Sequence, residues 1–265
     1  MSEKVAAREN LVNVSVEGPV GILELNRPQL FNCLSLAVME SLSTGMRSFE
    51  ASDKVRVVLI RSEGKHFCTG ADLDEVKGKR DSLEALKHFI SYGHGVLRSL
   101  ENSRLPVVAA VQGLALAGGL ELMMSADVAF AAETARMGCQ HAQFGLIPGW
   151  GGTQRLPRHV GERRALDLMF SARWIEAREA QNWGLVNYVV PDAELRAKAM
   201  EYCLTLASRN ASGIAAMKRL TVQGLTGNLD YGLALEAAEA PAALMSDNVT
   251  EGLNAFIEKR QPNFK

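Results

Sequence analysis

Apolar and polar positions alternate near the start of the chain and then give way to helical spacing. Leu11–Val16 and Val20–Leu25 flank Glu17-Gly18-Pro19, a pattern typical of a β-hairpin. After Ser35, apolar residues recur every three or four positions, which predicts a helix that begins at this serine and ends near Ala51.

Buried strands are predicted where β-branched and small apolar residues form short continuous runs. Four segments have this pattern: Val55–Ile60, Pro106–Val111, Val128–Ala132 and Val186–Val190. Helices are predicted between them, over Leu83–Leu100 and from Gly118 to Ser125. Strands separated by helices favour a layered α/β fold with parallel pairing. Beyond Gly161 the pattern is almost entirely helical, and Pro191 is the candidate boundary between an α/β core and a helical tail.

The bulk composition is that of an ordinary globular protein, with 265 residues, 47% hydrophobic and 22% charged. A net charge of −1 gives no electrostatic reason to expect nucleic acid or an anionic membrane as a partner. Neither a membrane-length apolar run nor an apolar signal core in Met1–Asn10 is found. The four cysteines fit no zinc framework, and scattered thiols suit a reducing cytosol. A cytoplasmic protein without a metal site is therefore expected.

Three glycine-bearing loops are the candidate functional segments: His66–Leu73, Gln112–Leu122 and His141–Leu156. Small residues in such loops let another group approach the backbone closely. A helix that starts near Gly118 would leave its first N–H groups free, an arrangement that suits a developing oxyanion. Taken singly, each loop is also explained as a structural turn, because a lone glycine pair carries little information about function.

Together, Phe67–Leu73, Pro106–Asp127 and Phe144–Leu156 resemble the enoyl-CoA hydratase/isomerase (crotonase) superfamily. Ser171–Val186 and the C-terminal Glu251–Arg260 are similar to later parts of that family, so the resemblance covers nearly the whole chain. It implies an α/β fold in which a crotonase-like spiral of ββα units, residues 1–190, precedes a helical trimerisation region, residues 191–265. The implied assembly is a homotrimer or a homohexamer built as a dimer of trimers.

The resemblance also implies an oxyanion hole made of two backbone N–H groups, which map to Thr69 and Gly118. Enolising a thioester places negative charge on its carbonyl oxygen. Two preorganised donors stabilise that charge most in the transition state. Side chains at these positions matter less than the backbone geometry.

An acyl-CoA thioester is the implied partner, and no cofactor is implied beyond the coenzyme A that the substrate carries. The family's coenzyme A site maps to residues of the N-terminal half: Gln29, Leu30, Ala71, Asp72 and Leu73. Phe256 and Lys259 match positions of the C-terminal helix that reach coenzyme A, in many members from a neighbouring subunit. A solvated surface lysine is the alternative for Lys259.

Hydratases of this family use two glutamates, and the two positions map to Glu121 and His141. A carboxylate next to an imidazole favours the ion pair, which predicts a lowered pKa for Glu121 and a raised pKa for His141. In that state Glu121 takes a proton from water and the imidazolium donates one to the α-carbon. The predicted function is an acyl-CoA lyase, an enoyl-CoA hydratase acting on an α,β-unsaturated acyl-CoA.

Other functions remain open from the residues alone. A hydrolase or decarboxylase acting on a β-oxo or malonyl-type acyl-CoA would use the same oxyanion hole. A non-catalytic acyl-CoA-binding member would keep the loops without turnover, with His141 as an inert pocket residue. A Δ3,Δ2-enoyl-CoA isomerase fits less well, because the family's isomerases keep the second carboxylate, where this chain has His141.

Overall fold

A computed structural model describes residues 10–264 of the chain. Its strands are β1 (Val12–Glu17), β2 (Val20–Leu25), β3 (Val57–Ser62), β4 (Val107–Val111), β5 (Leu114–Leu116), β6 (Val128–Ala132), β7 (Arg136–Gly138), β8 (Ile175–Glu176) and β9 (Tyr188–Val190). Its α-helices are α1 (Leu36–Glu50), α2 (Leu73–Lys79), α3 (Leu83–Glu101), α4 (Gly118–Met124), α5 (Gly152–Val160), α6 (Glu162–Ser171), α7 (Ala177–Asn182), α8 (Leu195–Ala207), α9 (Ala211–Gly224), α10 (Leu229–Leu244) and α11 (Asp247–Ile257). Short 3-10 helices occur at Pro28–Leu30, Gln140–Phe144 and Asp192–Glu194.

The larger of two sheets has six strands in the order β1-β2-β3-β4-β6-β9. β1 and β2 pair antiparallel as the predicted hairpin, and all later neighbours in this sheet are parallel. Parallel neighbours need crossover connections, and α1, α3 and α4 lie in the first three of these. The smaller sheet has the order β5-β7-β8. The predicted α/β class with parallel pairing is therefore confirmed.

Most predicted elements are present, with boundaries moved by one or two residues. The Ser35 hydroxyl accepts a hydrogen bond from Val38 N at 3.2 Å and caps α1 as predicted. The strand predicted over Val55–Ile60 is β3, which starts two residues later because its register is set by pairing with β2 from Val20 onward. The strand predicted over Val186–Val190 shortens to β9. Helix α2 and the short strands of the smaller sheet were not predicted.

β3 and β4 position the loops that follow them. The carboxyl ends of parallel strands meet at one edge of a sheet, so residues after Ser62 and after Val111 emerge side by side. An isolated bridge pairs Cys68 with Ala115, and another pairs Leu34 with Ala71. Three separate segments of the chain are therefore joined by backbone hydrogen bonds at this edge.

The first helix of the predicted tail packs on the larger sheet. α8 buries four residues against β3, β4 and β6: Leu195, Ala199, Cys203 and Ala207. By contrast, α9 and α10, which lie wholly within the described residues, bury none of theirs, and α11 buries only Ala255. The domain division at Pro191 stays a prediction, and packing alone favours a division after Ala207.

The helices α9 to α11 expose large apolar side chains in this single chain. The most exposed are Met217, Leu225, Leu229, Leu244, Met245, Phe256 and Ile257. Exposed apolar surface of this extent is typical of an interaction site. No helix between residues 10 and 264 is long and apolar enough to cross a membrane.

Candidate active site

Two turns meet at the edge of the sheet where β3 and β4 end. The first amide turn is Cys68–Ala71 and the second is Leu116–Gly119; Leu116 N donates to Cys68 O at 3.0 Å and joins them. A Cβ added at Gly119 would lie only 2.1 Å from Cys68 O. Glycine is therefore required at this position for the two backbones to come so close.

The second amide turn presents the Gly118 N–H without a partner. Ala117 has a left-handed backbone (φ 48°, ψ −115°), a strained conformation for alanine, and its N–H donates to Gly138 O at 2.9 Å. Within residues 10–264, the Gly118 N–H donates to no acceptor. A Cβ added at Gly118 would lie 2.8 Å from the Trp150 ring and 3.2 Å from Ala71 N.

The Thr69 amide, predicted as the first oxyanion donor, is already engaged. Its N–H donates to Phe31 O at 3.2 Å. Phe31 and Asn32 adopt left-handed conformations, and the Asn32 side chain donates to Glu63 O at 2.9 Å and to His66 O at 2.8 Å. This buried asparagine holds Phe31 O against Thr69, so the structure corrects the prediction that Thr69 supplies a free donor.

The amide that lies free beside Gly118 is that of Ala71. Leu34 N donates to Gly70 O at 2.8 Å, and Asp72 N donates to Leu34 O at 2.9 Å. Because alternate residues of an extended segment pair on opposite sides, the N–H of Ala71 faces away from Leu34. The described residues provide no acceptor for it. The two neighbouring free amides are therefore those of Ala71 and Gly118, and the residue on the first turn is two positions away from the prediction.

Glu121 lies one helical turn after Gly118 and is only 2% exposed. Its Oε1 accepts hydrogen bonds from Trp150 N at 2.9 Å and from Gly152 N at 2.7 Å. Burial raises the pKa of Glu121 to about 7, and these two N–H groups together with Arg155 offset only part of that rise. A carboxyl group with a pKa near neutrality can both accept and return a proton at physiological pH.

His141 lies on the 3-10 helix Gln140–Phe144 with its side chain 11% exposed. Its Nε2 is 3.8 Å from Oε2 of Glu121, close but beyond a direct hydrogen bond. Burial lowers the pKa of His141, so the imidazole is neutral at pH 7. The predicted ion pair is corrected, because burial disfavours both charged forms more than contact at this distance favours them.

An ion pair that the sequence did not reveal supports the Glu121 carboxyl group. Arg155 pairs with Glu101 of α3, and its Nη1 donates to Trp150 O at 2.6 Å. Gly151 makes this possible, since a Cβ there would lie 2.1 Å from the same Nη1. Arg155 thereby holds the turn whose N–H groups bind Glu121. The sequence offered the Gly151-Gly152 pair as a signal for a tight turn. It gave no indication that Arg155 pairs with Glu101.

A cavity of about 780 Å³ opens beside the first amide turn, a size typical of small-molecule sites. His141 and Ala71 line it, as does Ala117, which directly precedes Gly118. Its other walls are lined mainly by Leu30, Phe31, Phe144, Leu146, Arg173 and Trp174. Glu121 does not line the cavity itself but lies 3.8 Å from His141, which does.

Comparison with known proteins assigns the family. A sequence model described as enoyl-CoA hydratase/isomerase matches residues 16–265. The chain belongs to the enoyl-CoA hydratase/isomerase family. A probable enoyl-CoA hydratase of Bacillus subtilis is 35% identical over 260 residues, covering 97% of this chain and 99% of that protein. The mitochondrial methylglutaconyl-CoA hydratase of Mus musculus is 38% identical over 250 residues, covering 92% and 79%.

Solved structures of the family superpose closely on this chain. The crystal structure of an enoyl-CoA hydratase from Bacillus anthracis gives a TM-score of 0.92 at 36% identity and covers 96% of this chain and 99% of that one. An enoyl-CoA hydratase from Polaromonas gives a TM-score of 0.93 at 28% identity, with coverage of 96% and 99%. The crotonase fold predicted from the sequence is confirmed, whereas the trimeric or hexameric assembly stays a prediction.

The residues mapped to the family's coenzyme A site fall into two groups. Four line the cavity: Leu30, Ala71, Asp72 and Leu73. Gln29 is exposed next to Leu30 but does not line it. Phe256, which is 83% exposed, and Lys259 lie at the C-terminal end of the described chain and do not line this cavity either. A contact from these two residues to coenzyme A stays a prediction that requires a neighbouring subunit.

Asp72 has a structural task that the family mapping did not indicate. Its carboxylate accepts a hydrogen bond from Glu75 N at 3.3 Å, which caps α2, and pairs with Arg27 Nη1 at 3.1 Å. Burial alone would raise the pKa of Asp72, but these partners outweigh it and lower the pKa. The side chain thus stays ionised and fixes the chain just after the first amide turn.

Metal and disulfide chemistry have no counterpart among residues 10–264. No group of three or more His, Cys, Asp or Glu side chains is placed to hold a metal ion in this part of the chain. Cys33, Cys68, Cys139 and Cys203 are all unpaired thiols.

Proposed function

We propose that this protein is an enoyl-CoA hydratase, a lyase that adds water to an α,β-unsaturated acyl-CoA. The observation that carries the proposal is that the free Ala71 and Gly118 amides lie side by side, with Gly118 three residues before a buried carboxyl group, Glu121, whose pKa is close to neutral. Relatives named enoyl-CoA hydratase, at 35% identity over nearly the whole chain, support it.

The two amides match the charge that hydration creates. Addition of water at the β-carbon moves the electrons of the double bond onto the thioester oxygen and forms an enolate. Two fixed N–H donors stabilise that oxygen without reorganisation, and loss of one such donor costs about 3–4 kcal/mol of transition-state stabilisation. Because Gly118 N and Ala71 N have no acceptor among residues 10–264, both are available to the substrate.

Proton transfer then needs only the carboxyl group. Ionised Glu121 takes a proton from water as the water oxygen bonds to the β-carbon. Protonated Glu121 returns the proton to the α-carbon as the carbonyl re-forms, so all atoms of water end in the product. This revises the predicted division of labour, because neutral His141, 3.8 Å from Glu121, is not the imidazolium acid of the reaction.

The remaining parts of the proposal concern binding and assembly. The coenzyme A moiety occupies the cavity lined by Leu30, Ala71 and Leu73, and no cofactor beyond it is needed for this reaction. A homotrimer, or a dimer of trimers, covers the exposed apolar faces of α9 to α11 and brings Phe256 and Lys259 to a neighbour's coenzyme A. The four unpaired thiols suit a cytoplasmic location.

The test is a substrate panel for the purified protein. Short, long and branched enoyl-CoA thioesters, including crotonyl-CoA and methylglutaconyl-CoA, are followed by loss of the conjugated enoyl absorbance. We expect hydration of at least one substrate, and a fall in kcat of about 10³-fold in Glu121→Gln. Glutamine keeps an oxygen for the Trp150 and Gly152 N–H groups. The matched control is Glu84→Gln on the exposed face of α3, which should leave kcat unchanged.

The same panel separates the competing functions. Release of free thiol or CO₂ from β-oxo or malonyl thioesters, without hydration of any enoyl-CoA, would assign the hydrolase or decarboxylase function instead. Tight binding of acyl-CoA with no product from any substrate would assign a non-catalytic binding protein. Either result would reject the hydratase proposal.

A further inference from the structure

The Cys139 thiol, the His141 imidazole and the Glu121 carboxyl group lie next to one another in that order. Sγ of Cys139 lies 3.4 Å from Nδ1 of His141, and Nε2 of the same ring lies 3.8 Å from Oε2 of Glu121. Cys139 is 2% exposed and immediately precedes the 3-10 helix that carries the histidine. The two ring nitrogens of His141 therefore face two different groups.

We propose that Cys139 is a positioning residue whose thiol donates to Nδ1 of His141 and thereby keeps the imidazole proton on Nε2, the nitrogen that faces Glu121. A neutral imidazole has one N–H donor and one bare acceptor nitrogen, and the partner of one nitrogen decides which form is present. The inference rests on the proposed function, since it assigns a role in orienting the acid–base pair of that reaction.

The sulfur acts as the donor because its proton is retained. Burial raises the pKa of the Cys139 thiol to about 11, so the group is S–H at neutral pH. The His141 backbone N–H interacts with the same sulfur and lowers that pKa by a smaller amount. With this N–H directed at the sulfur, the thiol proton is directed to the bare Nδ1.

The groups that face the ring on its other side favour the same tautomer. Glu121 offers Oε2 to Nε2, while its Oε1 is occupied by the Trp150 and Gly152 N–H groups. Arg155 is the charged group that acts on Glu121 from α5 and favours its ionised form. An ionised carboxylate can only accept hydrogen bonds, so Nε2 must carry the proton for the two groups to attract each other.

A nucleophilic role for Cys139 does not fit this geometry. Cys139 does not line the cavity that His141 and Ala71 line. A protonated thiol with a pKa of about 11 is also a poor nucleophile at neutral pH. Its contact with the histidine is therefore explained by orientation of the ring.

The decisive experiment is ¹⁵N NMR of protein labelled only in its five histidines. The His141 signals are assigned by their loss in His141→Gln, and the spectrum is recorded above the histidine pKa. We expect Nε2 to be the protonated nitrogen in the wild type and in Cys139→Ser, which keeps a donor. In Cys139→Ala we expect a mixture of both tautomers.

Kinetics give the second readout. Cys139→Ala should lower kcat for enoyl-CoA hydration about three- to tenfold with KM unchanged, whereas Cys139→Ser should stay within about twofold of the wild type. The matched control is Cys203→Ala, which removes a similarly buried thiol from α8. Thermal melts show which variants are folded.

The outcomes for this inference and for the proposed function are distinct. A wild-type spectrum with the proton on Nδ1, or an unchanged tautomer in Cys139→Ala, would overturn the role of Cys139 even if the enzyme hydrates its substrate. A protonated Nε2 that depends on the residue 139 donor, in a protein that hydrates no enoyl-CoA, would support the orienting contact while rejecting the hydratase.

Discussion

The two amide turns are built from backbone, whereas the Glu121–His141 pair is built from side chains. The turns are fixed by pairings such as Leu116 N to Cys68 O, and they require glycine where backbones meet. The pair depends on burial and on the ion pair between Glu101 and Arg155, which are 54 positions apart in the sequence.

This difference has a physical consequence. Backbone donors keep their chemistry whatever the neighbouring side chains are, so an oxyanion site tolerates substitution wherever no Cβ intrudes. The protonation of Glu121 and His141 depends instead on how completely water is excluded. The turns should therefore respond to steric changes, and the pair should respond to pH and to nearby charge.

The largest effect expected in the turns comes from Gly118→Ala. The new Cβ would lie 2.8 Å from the Trp150 ring and 3.2 Å from Ala71 N, so the two amides must move apart. We expect kcat/KM for hydration to fall about 10²- to 10³-fold, the scale of losing one oxyanion donor. Steady-state kinetics on folded protein provide the measurement.

The control for that variant is Gly78→Ala on α2, where an added Cβ meets nothing within 4 Å. Activity should be unchanged there, and the helix should gain about 0.5–1 kcal/mol of stability. Full activity in Gly118→Ala would show that the amides do not act together.

In the Glu121–His141 pair, the substitution His141→Gln should lower kcat about tenfold. Glutamine keeps a donor near Glu121 but loses the ring whose Nε2 lies 3.8 Å from Glu121 Oε2, and a tenfold fall corresponds to about 1.4 kcal/mol of activation free energy. The acid limb of the pH–rate profile should stay in place, because neutral His141 does not produce it. If the wild type has an alkaline limb, a fall in rate as pH rises, that vanishes in this variant and persists in exposed His88→Gln, the imidazolium acid would be restored.

A smaller effect on rate is expected for Arg155→Met. Removal of the guanidinium frees Trp150 O and withdraws a positive charge that favours ionised Glu121. We expect a fall in kcat of about three- to tenfold at pH 7 and an acid limb displaced to higher pH. We also expect a stability loss of about 1.5–3 kcal/mol, because Glu101 loses one of two arginine partners and keeps Arg98. Urea unfolding measures the stability loss, and the pH–rate profile measures the fall in kcat and the position of the acid limb.

The matched control is Arg158→Met, one turn away on α5, where an exposed arginine donates to Gln154. Its stability and pH profile should match those of the wild type. An acid limb that does not move in Arg155→Met would show that Arg155 does not influence the ionisation of Glu121.

The contrast also explains what could be predicted from the sequence. The α/β architecture follows local patterns and is confirmed, and the glycines of both turns and Glu121 were identified from the sequence, where their roles stay predictions. The choice of Thr69 over Ala71 failed because it depends on Phe31 O, which a buried Asn32 holds in place from another segment.

The prediction of the charge states of Glu121 and His141 was wrong for a different reason. The sequence places a carboxyl group and an imidazole in one site, which favours an ion pair when solvent exposure is unknown. Their burial, 2% exposure for Glu121 and 11% for the His141 side chain, reverses both shifts. The role of Arg155 could not be predicted from the sequence either, because its partner Glu101 lies on a different helix.

The measurement that tests the account most directly is the pH dependence of kcat/KM for hydration of the best enoyl-CoA substrate. If ionised Glu121 is the base, the rate must be low when the group is protonated and must rise with pH through an apparent pKa of about 7. A limb near 4.5, the value for a solvated glutamate, would contradict the buried base described here. So would a profile that stays the same in Glu121→Gln.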